Sequence, residues 1–228
     1  MTRIASVVAL VVIGMMLAAL SASAEPSLLG FSGLLETPTA ETLGKSDYNF
    51  GINSTEAQDW DDYSYYVNFG LSDGLEAGIM LWRPDQGALN TESFRRGGDE
   101  TFLHIKKSLV LEGAGNPDVA VGVFDLTDEV ETTVYGVATW AQGRSVGTFE
   151  GRDLHFLNLH AGFAAGQLQD VFIGAELLFG TRVRIMGEWL DGSVNVGARF
   201  RPLADINVDV GLLDGDDFAL NVSYDKAL

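Results

Sequence analysis

Residues 194–201 read Val194-Asn195-Val196-Gly197-Ala198-Arg199-Phe200-Arg201, apolar and then small or polar by turns. A period of two is the mark of a β-strand with one apolar face, because successive side chains leave the backbone on opposite sides. The same alternation spreads outward from this stretch. Upstream, Val183, Ile185 and Trp189 alternate with Arg182, Arg184, Met186 and Glu188. Downstream, Ile206, Val208, Val210 and Leu212 alternate with Asn207, Asp209 and Gly211, and Phe218, Leu220, Val222 and Tyr224 with Ala219, Asn221 and Ser223. The pattern begins near Tyr48. Its segments run about ten residues, the length a tilted strand needs to cross a bilayer.

Turn signals divide the chain at regular spacing. They predict strands near 47–54, 62–71, 74–83, 100–111, 117–125, 131–141, 153–164, 170–179, 182–190, 193–201, 204–213 and 216–225. Twelve is an even number, as in bacterial single-chain barrels. Short connections fall at Ser72-Asp73, Gly180-Thr181 and Pro202-Leu203, and longer ones at Ser54–Asp61 and Pro84–Asp99. With both termini in the periplasm, the short turns land on the periplasmic side and the long loops outside, as such barrels prefer. Gln142–Arg152 breaks this rule, since it reads as a long periplasmic turn. Lys107 also breaks the pattern by sharing a face with Leu103, Ile105 and Leu109, which calls for a bulge or a different strand placement.

Alternation alone does not say which face points inward. Three features favour an apolar exterior. The polar face carries Gly51, Gly70, Gly78, Gly122, Gly162, Gly174, Gly197 and Gly211, a choice that weakens a solvated strand but suits a crowded lumen. Charges of both signs, Glu76, Glu176, Glu188, Arg184 and Arg199, lie at mid-strand on that face. Tyr63, Tyr65, Trp82, Trp140, Trp189 and Tyr224 sit near strand ends, where interfacial aromatic girdles occur.

Residues 1–24 look like a secretory leader: Arg3, an apolar run from Ile4 to Leu20, and Ala22-Ser23-Ala24 before Glu25-Pro26. The chain has 228 residues, so 204 remain after the leader, enough for one domain. Cysteine is absent, which excludes disulfides, a thiol nucleophile and an acylated lipobox. The chain has 14 basic and 32 acidic residues; without Arg3 the balance is 13 against 32, a net charge of −19. Such an acidic protein does not track a nucleic-acid backbone.

Glu25–Ser46 lacks strand-length alternation, and Pro38 excludes a central ladder position. The segment is expected to be a plug or an added strand, ahead of a barrel over 47–228. As a plug it would place Phe31, Leu34, Thr37, Pro38 and Thr39 in the lumen. Gly30-Phe31-Ser32-Gly33-Leu34-Leu35-Glu36-Thr37-Pro38-Thr39-Ala40 resembles the opening of the YjbH-like outer-membrane proteins of exopolysaccharide biosynthesis. Asn195 to Pro202 and Asp209 to Asp214 resemble that family's closing repeats. The resemblance implies a β-barrel linked to polysaccharide export or assembly, in a shorter, single-barrel form.

No catalytic constellation stands out. Gly30-Phe31-Ser32-Gly33 misses the nucleophile-elbow spacing. His104 and His160 fall on the polar face and His155 on the other, so His155 and His160 cannot share a metal. Gly113-Ala114-Gly115-Asn116-Pro117 reads as a turn, and Asp214-Gly215-Asp216-Asp217 as a hairpin turn without the distant Glu of a calcium loop. Neither a cofactor nor a metal is implied. The charged lumen is the candidate site. Arg182, Arg184, Arg199 and Arg201 come from neighbouring strands, and Glu76, Glu176, Glu188 and Asp209 stand ready to pair with them. They form either a closed ion-pair network or a basic strip that guides anionic sugars.

The expected fold class is therefore all-β: an antiparallel up-and-down transmembrane β-barrel of about twelve strands, after a cleaved signal peptide. It would be porin-like, non-enzymatic and placed in the outer membrane of a Gram-negative envelope. Its expected partners are outer-membrane lipids, the barrel-assembly machinery and polysaccharide, with no nucleic acid. The alternative is a soluble periplasmic β-barrel that binds an apolar ligand.

Overall fold

The structure is a computed structural model that describes residues 24–57, 60–83, 100–109, 116–149, 152–166, 168, 170–179 and 182–226. The expected leader, apart from Ala24, the 84–99 loop and Gly113–Gly115 lie outside these residues.

Twelve strands run in chain order: β1 (Tyr48–Ala57), β2 (Trp60–Ser72), β3 (Leu75–Arg83), β4 (Glu100–Leu109), β5 (Asp118–Phe124) and β6 (Thr133–Phe149), then β7 (Arg152–Ala165), β8 (Asp170–Phe179), β9 (Val183–Leu190), β10 (Ser193–Leu203), β11 (Ile206–Leu213) and β12 (Asp217–Lys226). Each pairs antiparallel with its sequence neighbours, and β1 pairs with β12 to close the barrel. Closure satisfies both edges of every strand pair, which a hydrocarbon surrounding demands.

The register sorts the two faces. Across β10 and β11, Val196 faces Leu212 and Ala198 faces Val210, while Gly197 faces Gly211 and Arg199 faces Asp209. At the seam, Phe50 opposes Tyr224 and Ile52 opposes Val222, while Gly51 opposes Ser223 and Asn53 opposes Asn221. The first pairs of each set lie outside. Phe50, Phe69, Leu103, Phe163, Ile185 and Val210, drawn from around the whole circumference, are all exposed. Asn68, Glu76, His104, Lys106, His160 and Asn221 are buried inside. A soluble protein does not present an apolar belt around its full girth. An apolar exterior over a polar interior is the arrangement of a transmembrane barrel, and the even-stranded single-chain kind belongs to the outer membrane. The soluble alternative, which needs the apolar face inside, is not favoured.

Several local expectations are corrected. β1 and β2 continue until Ala57 pairs with Trp60, so Ser54–Asp61 is mostly strand rather than loop. Gln142–Arg152 is not a long periplasmic turn, because β6 and β7 pair as far as Phe149 and Arg152, through two register shifts. Pro202 and Leu203 still belong to β10, and the turn lies at Ala204-Asp205. β4 pairs with β3 and β5 in unbroken register, so Lys107 needs no bulge. It sits on the outer face near the strand end, and its Nζ reaches the Asp73 carbonyl at 3.2 Å. A long amphipathic side chain can carry its charge to the rim in this way. Trp82 faces the lumen, where its ring lies 6.4 Å from that of Phe102, and does not join the girdle. Tyr63, Tyr65 and Trp189 do face outward.

The face assignment makes a depth-dependent prediction. Val210→Arg, placed at mid-strand on the lipid face, should destabilise the barrel by about 2–4 kcal/mol, and Val194→Arg near the strand end by roughly 0–1 kcal/mol. Urea unfolding in lipid vesicles reads both; equal penalties would contradict the assignment.

Candidate functional site

The lumen is occupied by residues 24–43, which form no regular element, and Gly44–Ser46 are exposed where the segment joins β1. Isolated bridges join Pro26 to Ser32 and Gly33 to Pro38. Backbone bonds from Ser27 N to Phe31 O (2.7 Å), Leu28 N to Leu35 O (2.7 Å) and Leu34 N to Thr37 O (2.9 Å) fold the segment on itself. Gly30, at φ 87°, takes a turn that a side chain would strain. Phe31, Leu34, Thr37 and Thr39 are buried, as is Pro38.

An irregular segment leaves backbone N–H groups without ladder partners, and a buried N–H must find an acceptor. Two barrel carboxylates supply it. Glu188 on β9 accepts from Leu35 N (3.3 Å), Glu36 N (2.9 Å), Thr37 N (3.1 Å) and Thr37 Oγ1 (2.8 Å). Glu76 on β3 accepts from Ser32 N and Leu43 N, both at 3.0 Å, and from Ser32 Oγ. Lys106 on β4 lies 4.0 Å from Glu76 and donates to the Ser32 and Thr39 carbonyls at 2.9 and 3.3 Å. Glu76 and Glu188 are thus ligands of the N-terminal segment, not partners of the arginines as the sequence suggested. They lie where that segment passes, which strand periodicity does not reveal.

The arginines converge elsewhere, and on an unexpected residue. Glu25 receives Arg184 Nη1 and Arg199 Nη1 at 2.9 Å each, and Arg201 Nη2 as well. Burial alone would raise the Glu25 pKa, but the three guanidinium groups hold its carboxyl below the ordinary carboxylate range. Arg199 also grips Asp209 through Nε (2.8 Å) and Nη2 (2.9 Å), the two-pronged geometry that guanidinium favours. Arg184 reaches Glu176 at 2.9 Å, and Glu176 in turn meets His160 Nε2 at 3.0 Å. Arg182 is exposed at the β8–β9 turn and stands apart from the cluster, because its position precedes β9.

Packing completes the fit. Phe31 lies edge-on to Phe124 (5.7 Å) and His104 (6.2 Å). A Cβ at Gly174 would lie 2.3 Å from Leu34 Cδ1, and one at Gly197 would lie 2.9 Å from Leu35 Cδ2. At Gly70 it would meet the Gly44 carbonyl at 1.8 Å, so the barrel wall here touches the backbone of the segment.

His160 is held between Glu176 and Thr139 Oγ1 (2.9 Å), and His104 has no hydrogen-bond partner among the described residues. The His155 side chain lies outside the described part. Asp214–Asp217 spans the β11–β12 turn and the first residue of β12, with Asp214 and Gly215 at positive φ. Glu25, Lys106 and the amides Asn49, Asn53 and Asn68 were not singled out from the sequence. The alternation carries a signal for all but Glu25, since each falls on the polar face of its strand.

No protein family matches the sequence, and no curated protein does. The YjbH-like resemblance therefore rests on its motifs alone. Among solved structures, a KdgM porin aligns over 78% of this chain and 99% of its own, at 8% identity and a TM-score of 0.49. An outer-membrane channel from Pseudomonas putida F1 aligns over 86% and 100%, at 14% identity and a TM-score of 0.38. OprB of Pseudomonas putida aligns over 79% and 91%, at 10% identity and a TM-score of 0.31. The likeness is one of barrel architecture, and no functional statement rests on it.

Two predictions test how the segment is held. Glu188→Ala leaves three backbone N–H groups, two of them buried, without their acceptor, so the barrel should lose roughly 2–4 kcal/mol. Residues 27–40 should then become cleavable by proteinase K, as mass spectrometry of the digest would show; unchanged protection would contradict the anchoring role.

The second concerns Glu36. Burial and the neighbouring Glu188 carboxylate push its pKa up to about 7, from an ordinary value of 4.5. The folded state then binds a proton that the unfolded chain has released, so this group lowers stability as pH rises from about 4.5 to about 7. Glu36→Gln should match the parent protein near pH 4 and exceed its stability above about pH 7, measured by urea midpoints across that range.

Proposed function

We propose that this chain is a non-enzymatic outer-membrane barrel closed by its own N-terminal segment, serving as an accessory component of exopolysaccharide export or envelope organisation. The observation that carries the closed state is Glu188 accepting three nearby backbone N–H groups, Leu35, Glu36 and Thr37, from inside the lumen. The arginines that would otherwise line a conducting path are paired: Arg184 and Arg199 with carboxylates at 2.8–2.9 Å, and Arg201 with Glu25. This favours the ion-pair network over the basic strip, because a paired guanidinium offers little field to a passing anion. The polysaccharide role is supported by the YjbH-like resemblance of Gly30–Ala40 and of the closing repeats. Outer-membrane lipids, the barrel-assembly machinery and a polysaccharide are the partners this role entails.

Planar-bilayer recording tests closure. The intact mature protein should be silent, and a form lacking residues 27–40 should conduct, provided a heat-modifiability gel shift shows that both are folded. Conductance in the intact form, or silence in both, would overturn the stopper. Deleting the gene should change the amount of cell-associated polysaccharide. Unaltered polysaccharide would remove the accessory role and leave the barrel.

A further inference from the structure

Between the N-terminal segment and the barrel end opposite the termini lies a cavity of about 380 Å³. That volume is within the range of small-molecule sites. Its two walls differ. Met80, Trp82, Phe102 and Phe124, from β3, β4 and β5, make an apolar wall, in which the Phe102 and Phe124 rings stack at 5.4 Å. Across from them stand Glu36, Asn195, Asp214 and Asp217. No Lys or Arg lines the cavity among the described residues, and none of them pairs with Asp214 or Asp217 there.

Asn53 adds an independent sign. It is 2% exposed and lines the cavity; its Nδ2 donates to Leu28 O and to Ser64 Oγ (3.2 Å). Its Oδ1 is buried without a partner among the described residues. A buried acceptor left unmade is costly unless something donates to it. Carboxylates and this acceptor make a wall that asks for donors and positive charge. The indole and phenyl rings opposite offer apolar faces on which an aromatic or apolar body can pack.

We infer that this vestibule binds a small organic cation with an aromatic or apolar body, its ammonium directed to Asp217 and Glu36, its body laid on Trp82 and Phe102, and a water held with it donating to Asn53 deeper in the cavity. An anionic sugar would meet carboxylates and no Lys or Arg here among the described residues, so the site is distinct in chemistry from any path for an acidic polysaccharide. The inference holds whether or not the lumen ever opens.

Isothermal titration of the folded mature protein in detergent, with phenethylammonium as the probe, provides the test. Phenethylammonium should bind at least tenfold tighter than 2-phenylethanol, which keeps the body and removes the charge. 3-Phenylpropionate and maltose should give no binding heat. Asp217→Asn, nearly isosteric, should weaken phenethylammonium at least fivefold, and Trp82→Ala by a similar factor. Asp205→Asn, at the opposite end of the barrel, should leave it unchanged. A gel shift confirms folding of each variant, and Asp217→Asn decides if Trp82→Ala does not fold. Equal binding of the amine and the alcohol, no binding of the amine, or tighter binding of maltose would each overturn the proposal. The last would replace the cation with a neutral sugar.

Discussion

The lumen is organised by one requirement: the backbone N–H groups of an irregular segment must be satisfied away from water. Glu188 and Glu76 meet it from opposite sides of the barrel, each as an acceptor for several donors. A carboxylate suits this task because it has acceptor sites to spare and its bonds to N–H are stronger than neutral ones. The rest of the interior follows from placing those two charges. Lys106 neutralises Glu76 and takes up segment carbonyls, while Asn195 donates to Glu188 at 2.9 Å.

The charge balance reads differently from inside. The chain carries a large negative excess, yet three lumen cations, Arg184, Arg199 and Arg201, gather around a single segment residue, Glu25. Breaking a buried pair on one side costs far more than exchanging both partners, since a lone buried charge remains. The segment is therefore tied at its beginning by charge and along its middle by backbone hydrogen bonds. Glycine on the wall allows the close fit: Gly70 admits the Gly44 carbonyl, and Gly174 and Gly197 admit leucines. Above this packed layer the lumen opens into the vestibule, where acidic groups stand without cationic partners among the described residues.

The strand count, the antiparallel order and the division into faces were legible before any coordinates. Side-chain alternation is a local property that lipid on one side enforces at every position. The polar-face glycines likewise signalled crowding. Strand ends were read less well: β1, β2, β6 and β7 run beyond the expected turns, because polar or glycine-containing stretches such as Gln142–Phe149 mimic loops. Lys107 misled for a related reason, since a charge on a lipid face is tolerated where it reaches the rim.

Sequence by itself determined that this chain is a run of two-faced strands, one face apolar and the other charged and glycine-rich, and that Glu25–Ser46 is not an ordinary strand. Periodicity settles those points because each depends on neighbours along the chain, while the glycines, mid-strand charges and aromatic residues only favoured an apolar exterior, which the structure then showed. Only the tertiary structure decided what the interior charges meet. It sent Glu76 and Glu188 to the backbone of the segment, gathered Arg184, Arg199 and Arg201 on Glu25, left Arg182 outside, and turned Trp82 into the vestibule. Those partners lie as far as 176 positions apart in the chain. Register around a closed barrel brings them together, and no local pattern encodes which wall a folded-in segment will touch.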